Sequence, residues 1–86
     1  MPMYDLKDAK LEKHSVTLSG HRTSISLEVC FWRHLRKIAS DRDVSVNELV
    51  RQLDEARDGS LSGAIRAFVL QTLEKTYRAT DNQTSG

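Results

Sequence analysis

The strongest constraint on this chain is one run of strict alternation set in an otherwise helical pattern. In the segment HSVTLSGHRTSISLE, residues 14–28, Val16 and Leu18 alternate with Ser15, Thr17 and Ser19. Past Gly20, Thr23, Ile25 and Leu27 alternate with Arg22, Ser24 and Ser26. Period two with β-branched residues specifies a half-buried strand. Gly20 divides the run as a bulge, a bend or a turn, and the clearer half is Arg22–Leu27. One short strand leaves its edges unpaired. The expectation is therefore that Arg22–Leu27 pairs with its own copy in a second chain, neither copy satisfying that backbone alone.

Everything downstream reads as helix. From about Val29 to Arg42, Phe31, Leu35, Ile38 and Ala39 fall on one face, widened by Trp32. Ser45-Val46-Asn47-Glu48 is a capping box: the Ser45 hydroxyl accepts from the Glu48 amide, and the Glu48 carboxylate reaches back to the Ser45 amide. Val44 and Leu49 are spaced as a hydrophobic staple. Val46, Leu49, Val50 and Leu53 then carry the helix to about Ala56. Arg57-Asp58-Gly59 ends it, and Ser60 is placed to cap a last helix reaching about Tyr77. Leu61, Ala64, Ile65, Phe68, Thr72 and Leu73 are its expected buried side. Residues 1–13 read as a flexible arm, 14–79 as a single domain with the added helix 60–77, and 80–86 as a disordered tail.

Size and composition narrow the function classes. With 86 residues there is room for one domain, and a core this small gains from oligomerisation. The single cysteine, Cys30, has no partner for a disulfide within the chain. That fits a reducing, cytoplasmic setting and excludes a cysteine-based zinc site. No apolar run approaches the roughly 20 residues of a membrane helix. The net charge is +1, and residues 1–21 and 22–58 each balance to zero. Any basic face must therefore come from arrangement within the fold.

The residues Arg22-Thr-Ser-Ile-Ser-Leu27, the helix carrying Leu35 and Ile38-Ala39, and the Ser45-Val46-Asn47 helix start followed by Leu49-Val50 together resemble the ribbon-helix-helix (MetJ/Arc-type) family. The match covers roughly residues 20–56. GHRTSISLE, then FW, L..IA and SGAIRAFVL, is similar to a small bacterial subgroup of that family. The resemblance implies a mainly α fold with one short strand. It also implies an intertwined homodimer whose two-stranded antiparallel ribbon enters the DNA major groove. Arg22, Ser24 and Ser26 would then contact bases, and Thr23, Ile25 and Leu27 would face inward. The backbone amides and side chains of Ser45, Val46 and Asn47 would anchor phosphate. Two features depart from the family pattern: short hydroxyls stand at Ser24 and Ser26, and Asp43 occupies a turn position often held by glycine.

The expected function is a cytoplasmic bacterial transcription regulator, not an enzyme, needing no cofactor and no metal. Its partners would be a second copy, or a higher assembly of copies, and double-stranded DNA, with no membrane. The alternative is the same dimer scaffold binding a small polar ligand or a protein, with His21, Arg22 and Thr23 near Gly20 as the ligand site. His14, His21 and His34 are too scattered to suggest a metal site. Cys30 has no adjacent base to make it a nucleophile. Phe31 and Trp32 read as core.

Overall fold

The computed structural model describes residues 6–85, with side chains given through residue 79. A short 3-10 turn, Lys7–Ala9, leads into strands β1 (Leu11–Leu18) and β2 (His21–Glu28). Helices α1 (Val29–Asp41), α2 (Val46–Ala56) and α3 (Leu61–Ser85) follow.

The two strands form an antiparallel hairpin within one chain, in register Leu18↔His21, Val16↔Thr23 and His14↔Ile25. This corrects the expectation of one strand satisfied solely by a second copy. The cause lies in Ser19 and Gly20, whose φ values of 51° and 80° form a two-residue hairpin turn. Positive φ at both central residues matches the right-handed twist of the flanking strands. Closing so short a loop costs little chain entropy, so the weaker half of the alternating run folds back on the stronger half. β1 also absorbs Leu11, Glu12 and Lys13, which the sequence assigned to a flexible arm. The start of that arm, up to Asp5, lies outside the described residues.

β2 passes directly into α1, whose first amide, Val29 N–H, donates to the Lys10 carbonyl at 2.8 Å. α1 buries Trp32, Leu35, Ile38 and Ala39, while Phe31, expected on that face, is only half-buried. The α1 C-terminus closes with Val44 N–H on the Ala39 carbonyl and Asp43 N–H on the Ser40 carbonyl. Asp43 stands at φ 58°, the left-handed position that such a C-terminal motif requires. α2 then starts at the expected cap, Ser45 Oγ accepting from Glu48 N–H at 3.0 Å. The reciprocal half of the capping box is absent. The Glu48 carboxylate instead receives Arg51 at 2.9 and 2.6 Å and Gln52 at 3.0 Å, because charge-assisted fork contacts outcompete a neutral amide.

Ser60 caps α3 by accepting from Gly63 N–H at 3.0 Å. The helix buries Ile65 and Val69, with Leu61 and Phe68 packed at the margin. Val69 was not expected there, and Leu73, which was, is 40% exposed. α3 continues to Ser85 through the stretch expected to be a tail. No proline or glycine lies between Ala64 and Ser85 to stop it. One core joins all the elements: Val16, Leu18, Ile25 and Leu27 from the inner sheet face, then Leu35, Leu49, Val50, Ile65 and Val69. Fully burying each such side chain is worth roughly 1.5–3 kcal/mol.

Candidate nucleic-acid interface

Residues directly opposite one another in an antiparallel pair share a face. The pairs Lys13↔Ser26, Ser15↔Ser24 and Thr17↔Arg22 therefore put six polar side chains on the outer face of the hairpin. All are exposed except Ser26, which is half-buried. The three residues expected to contact bases, Arg22, Ser24 and Ser26, thus lie on one solvent-facing surface. Lys13, Ser15 and Thr17 complete it. Sequence reading missed them because it placed Lys13 in an arm and did not fold the first half of the run onto the second. The signal was available in the matching alternation on either side of Ser19-Gly20.

Strand alternation also separates charges that cancel in the sequence. Glu12 turns to the other face, where its carboxylate sits 2.8 Å from His14 Nε2. Glu28, at the far end of β2, is held by Arg66 at 2.9 Å, which keeps its pKa below the usual carboxylate value. Lys13 and Arg22 make no hydrogen bond or ion pair among the described residues. The outer face therefore presents two free cations and four hydroxyls.

The hairpin's two outer edges differ. Leu18↔His21 closes the turn, so the hydrogen-bonded rungs continue at Val16↔Thr23, His14↔Ile25 and Glu12↔Leu27. The backbone groups of Arg22, Ser24 and Ser26 then point away from β1, and the two-stranded sheet ends there. The corresponding groups of β1 are partly covered. Asn47 Oδ1 accepts from Thr17 N–H, and Asn47 Nδ2 donates to the Thr17 carbonyl, both at 2.8 Å. The side-chain amide acts as one rung of a missing strand. The Asn47 side chain, expected to anchor phosphate, thus spends its carbonyl and one of its two N–H donors on Thr17.

What remains at the start of α2 is the Val46 and Asn47 amides, which have no intrahelical partner, and the donor capacity of the Ser45 hydroxyl. A shallow recess of about 250 Å³ beside them is lined by His14, Ser15, Trp32, Arg36 and the first residues of α2. Arg36 is exposed and unpaired among the described residues. The floor of the recess is fixed by Trp32, whose indole N–H donates to the Glu12 carbonyl at 2.9 Å and whose ring meets His14 edge-on at 4.6 Å. The alternative trio does not converge: His21 and Thr23 line a cleft with Asp54 and Arg57, whereas Arg22 lies on the opposite face of β2.

A family model described as a ribbon-helix-helix domain matches residues 11–73. The chain belongs to the ribbon-helix-helix family. Members of that family typically dimerise and act as non-enzymatic, DNA-binding transcription regulators. Among solved structures, the chain is similar to an uncharacterized protein from Bordetella pertussis Tohama I. The TM-score is 0.71 at 23% identity, over 88% of this chain and 67% of that one, a likeness of fold. No curated protein matches. Among the described residues of this ribbon-helix-helix chain, no helix is long and apolar enough to cross a membrane.

Proposed function

We propose that this chain is a cytoplasmic, homodimeric, sequence-specific DNA-binding protein that regulates transcription. The carrying observation is the open edge of β2, which bears Arg22, Ser24 and Ser26 on its exposed face. Two copies join β2 to β2 across a two-fold axis, giving a four-stranded sheet with β1 on each outside. The Asn47 amide on Thr17 makes the β1 edge the poorer one for pairing.

The width of that sheet assigns roles. At about 4.8 Å per strand, the outer strands stand about 14 Å apart, more than the roughly 12 Å of the major groove. The sheet cannot sink in whole. The two central strands face the bases, and each β1 rides on a groove wall. Arg22 has the reach for a bidentate contact with guanine. Ser24 and Ser26 are shorter and discriminate only where the bases approach them. Lys13, Ser15 and Thr17 meet phosphates, with the Val46 and Asn47 amides, the Ser45 hydroxyl and Arg36 beside them at each flank.

Fluorescence anisotropy on random-sequence duplexes, titrated with salt, tests the electrostatic part. Lys13→Ala should weaken all sequences alike and flatten the log–log salt slope by about 1.8 per dimer, at about 0.9 for each phosphate no longer neutralised. Selection from a random pool tests the reading part, where Arg22→Ala should erase the preference for one base pair in each half-site. Wild-type protein indifferent to salt, or an Arg22→Ala variant with intact base preference, would overturn the proposal.

A further inference from the structure

Glu28 closes β2 and stands opposite Leu11 in β1. Strand alternation gives it the same outward parity as Arg22, Ser24 and Ser26. It lies about 20 Å from Arg22 along the strand, so the two cannot meet within one chain. Its side chain is 27% exposed and is fixed from α3, where Arg66 donates through Nε at 2.9 Å and through Nη2 at 3.2 Å. Each carboxylate oxygen has accepted one hydrogen bond and has room for another. Arg66 is itself held 5.9 Å from the Phe31 ring centre. The carboxylate is thus anchored, with acceptor capacity left over.

We propose that Glu28 of one copy positions Arg22 of the other copy for its contact with a base. The inference rests on the dimer reading above and adds a specificity-determining residue to it.

Two conditions confine how β2 can pair with β2. The backbone groups of Arg22, Ser24 and Ser26 point away from β1, so even-numbered residues make the new rungs. A two-fold axis also requires that when one residue faces a second, the second faces the first. Two registers meet both conditions with the longest overlap of His21–Glu28. In one, Ser24 faces Ser26 of the other copy, and Arg22 faces Glu28 directly, with Cα atoms about 5.5 Å apart. In the other, Ser24 faces Ser24, Arg22 faces Ser26, and Glu28 is the diagonal neighbour of Arg22, about 7–8 Å away and within reach of a long side chain. Either register sets Arg22, which makes no ion pair among the described residues, beside an anchored carboxylate. Opposite charges so placed attract across strands. The guanidinium has five donors, enough to serve the carboxylate and a guanine together. An Arg22 held beforehand gives up less rotamer freedom on meeting its base.

Glu28→Gln in the full chain tests this, because it keeps the side-chain shape and an oxygen for Arg66. Selection from a random duplex pool, then anisotropy on the selected duplex and a scrambled one, reads the effect. Base preference at the Arg22 position should fall about three- to tenfold. Affinity for the scrambled duplex should hold or rise, since a negative charge has left the DNA-facing surface. In an Arg22→Ala background, Glu28→Gln should change the preference no further. Glu55→Gln, which removes an equal charge from α2, should leave it unchanged. A Glu28→Gln chain, folded by circular dichroism, that retains full preference or weakens both duplexes alike would overturn the positioning role while leaving Arg22 as a base reader. If Glu28→Gln fails to fold, cross-linking decides. Arg22→Cys with Glu28→Cys, in a Cys30→Ser chain, should give covalent dimers with a short bismaleimide, which cannot span about 20 Å within one strand. A chain that sediments as a dimer yet yields no covalent dimer would overturn the pairing. A wild-type chain that stays monomeric, or shows no base preference, would overturn the DNA-binding dimer as well.

Discussion

Replacing Asn47 with alanine removes both hydrogen bonds to the Thr17 backbone without touching the core. Each is 2.8 Å long, and each such bond contributes about 0.5–1.5 kcal/mol net. Both are solvent-exposed, which favours the lower half of that range, so the pair should be worth about 1–2 kcal/mol. With a urea m-value of about 2 kcal/mol/M, the unfolding midpoint should fall by about 0.5–1 M at fixed protein concentration. Asn47→Asp gives a sharper comparison. It still accepts from Thr17 N–H, but it turns a carboxylate on the Thr17 carbonyl, so it should lose at least half as much. The decisive readout is amide exchange: the Thr17 N–H should lose protection selectively in Asn47→Ala. A Thr17 amide that exchanges as slowly in the variant as in the wild type would refute this account of Asn47. Uncovering the β1 edge should also make the alanine variant more prone to self-association through that strand.

Three further outcomes follow from the same contacts. Glu48 has its pKa lowered from 4.5 to about 2, first by Arg51 and then by Gln52. Its contribution to stability is therefore complete above about pH 4.5 and is lost as pH falls toward 2. Glu48→Gln should flatten the acid-unfolding curve within that window, followed by circular dichroism. Trp32→Phe gives up the indole bond to the Glu12 carbonyl and should cost about 1–2 kcal/mol in urea titrations. Asp43 holds φ 58°, so Asp43→Gly should preserve or raise the melting temperature, whereas Asp43→Val should destabilise by about 1–2 kcal/mol.

The helical half of the molecule was legible because each signal was local. Ser45 and Ser60 are caps defined by residues within one turn, and the periodic apolar residues of α1 and α2 needed no knowledge of the rest of the fold. The strand was legible as a strand but not in its pairing. Whether Ser19-Gly20 would turn back or merely bend depends on two φ angles that composition leaves open. That one choice decided the β1 edge, the place of Lys13 and the covering of Thr17. Asn47 illustrates the other limit. A polar side chain at a helix start reads as a cap or an anion ligand, and only the arrival of β1, thirty residues earlier in the chain, gives it a backbone to bind. The buried side of α3 drifted between Val69 and Leu73 because a helix packed on two others presents a broad apolar arc, and the sequence does not say which part is covered within one chain.

The two-residue turn at Ser19-Gly20 also has a consequence in time. Because β2 finds its first partner within the same chain, it is ordered before any second molecule arrives. Hairpins close in about 1–10 μs, so refolding should show a fast phase independent of protein concentration. A separate second-order phase should follow, at roughly 10⁵–10⁷ M⁻¹s⁻¹, as preformed surfaces dock. The pairing of β1 with β2 lies within one chain, so dilution should slow only the later, second-order phase.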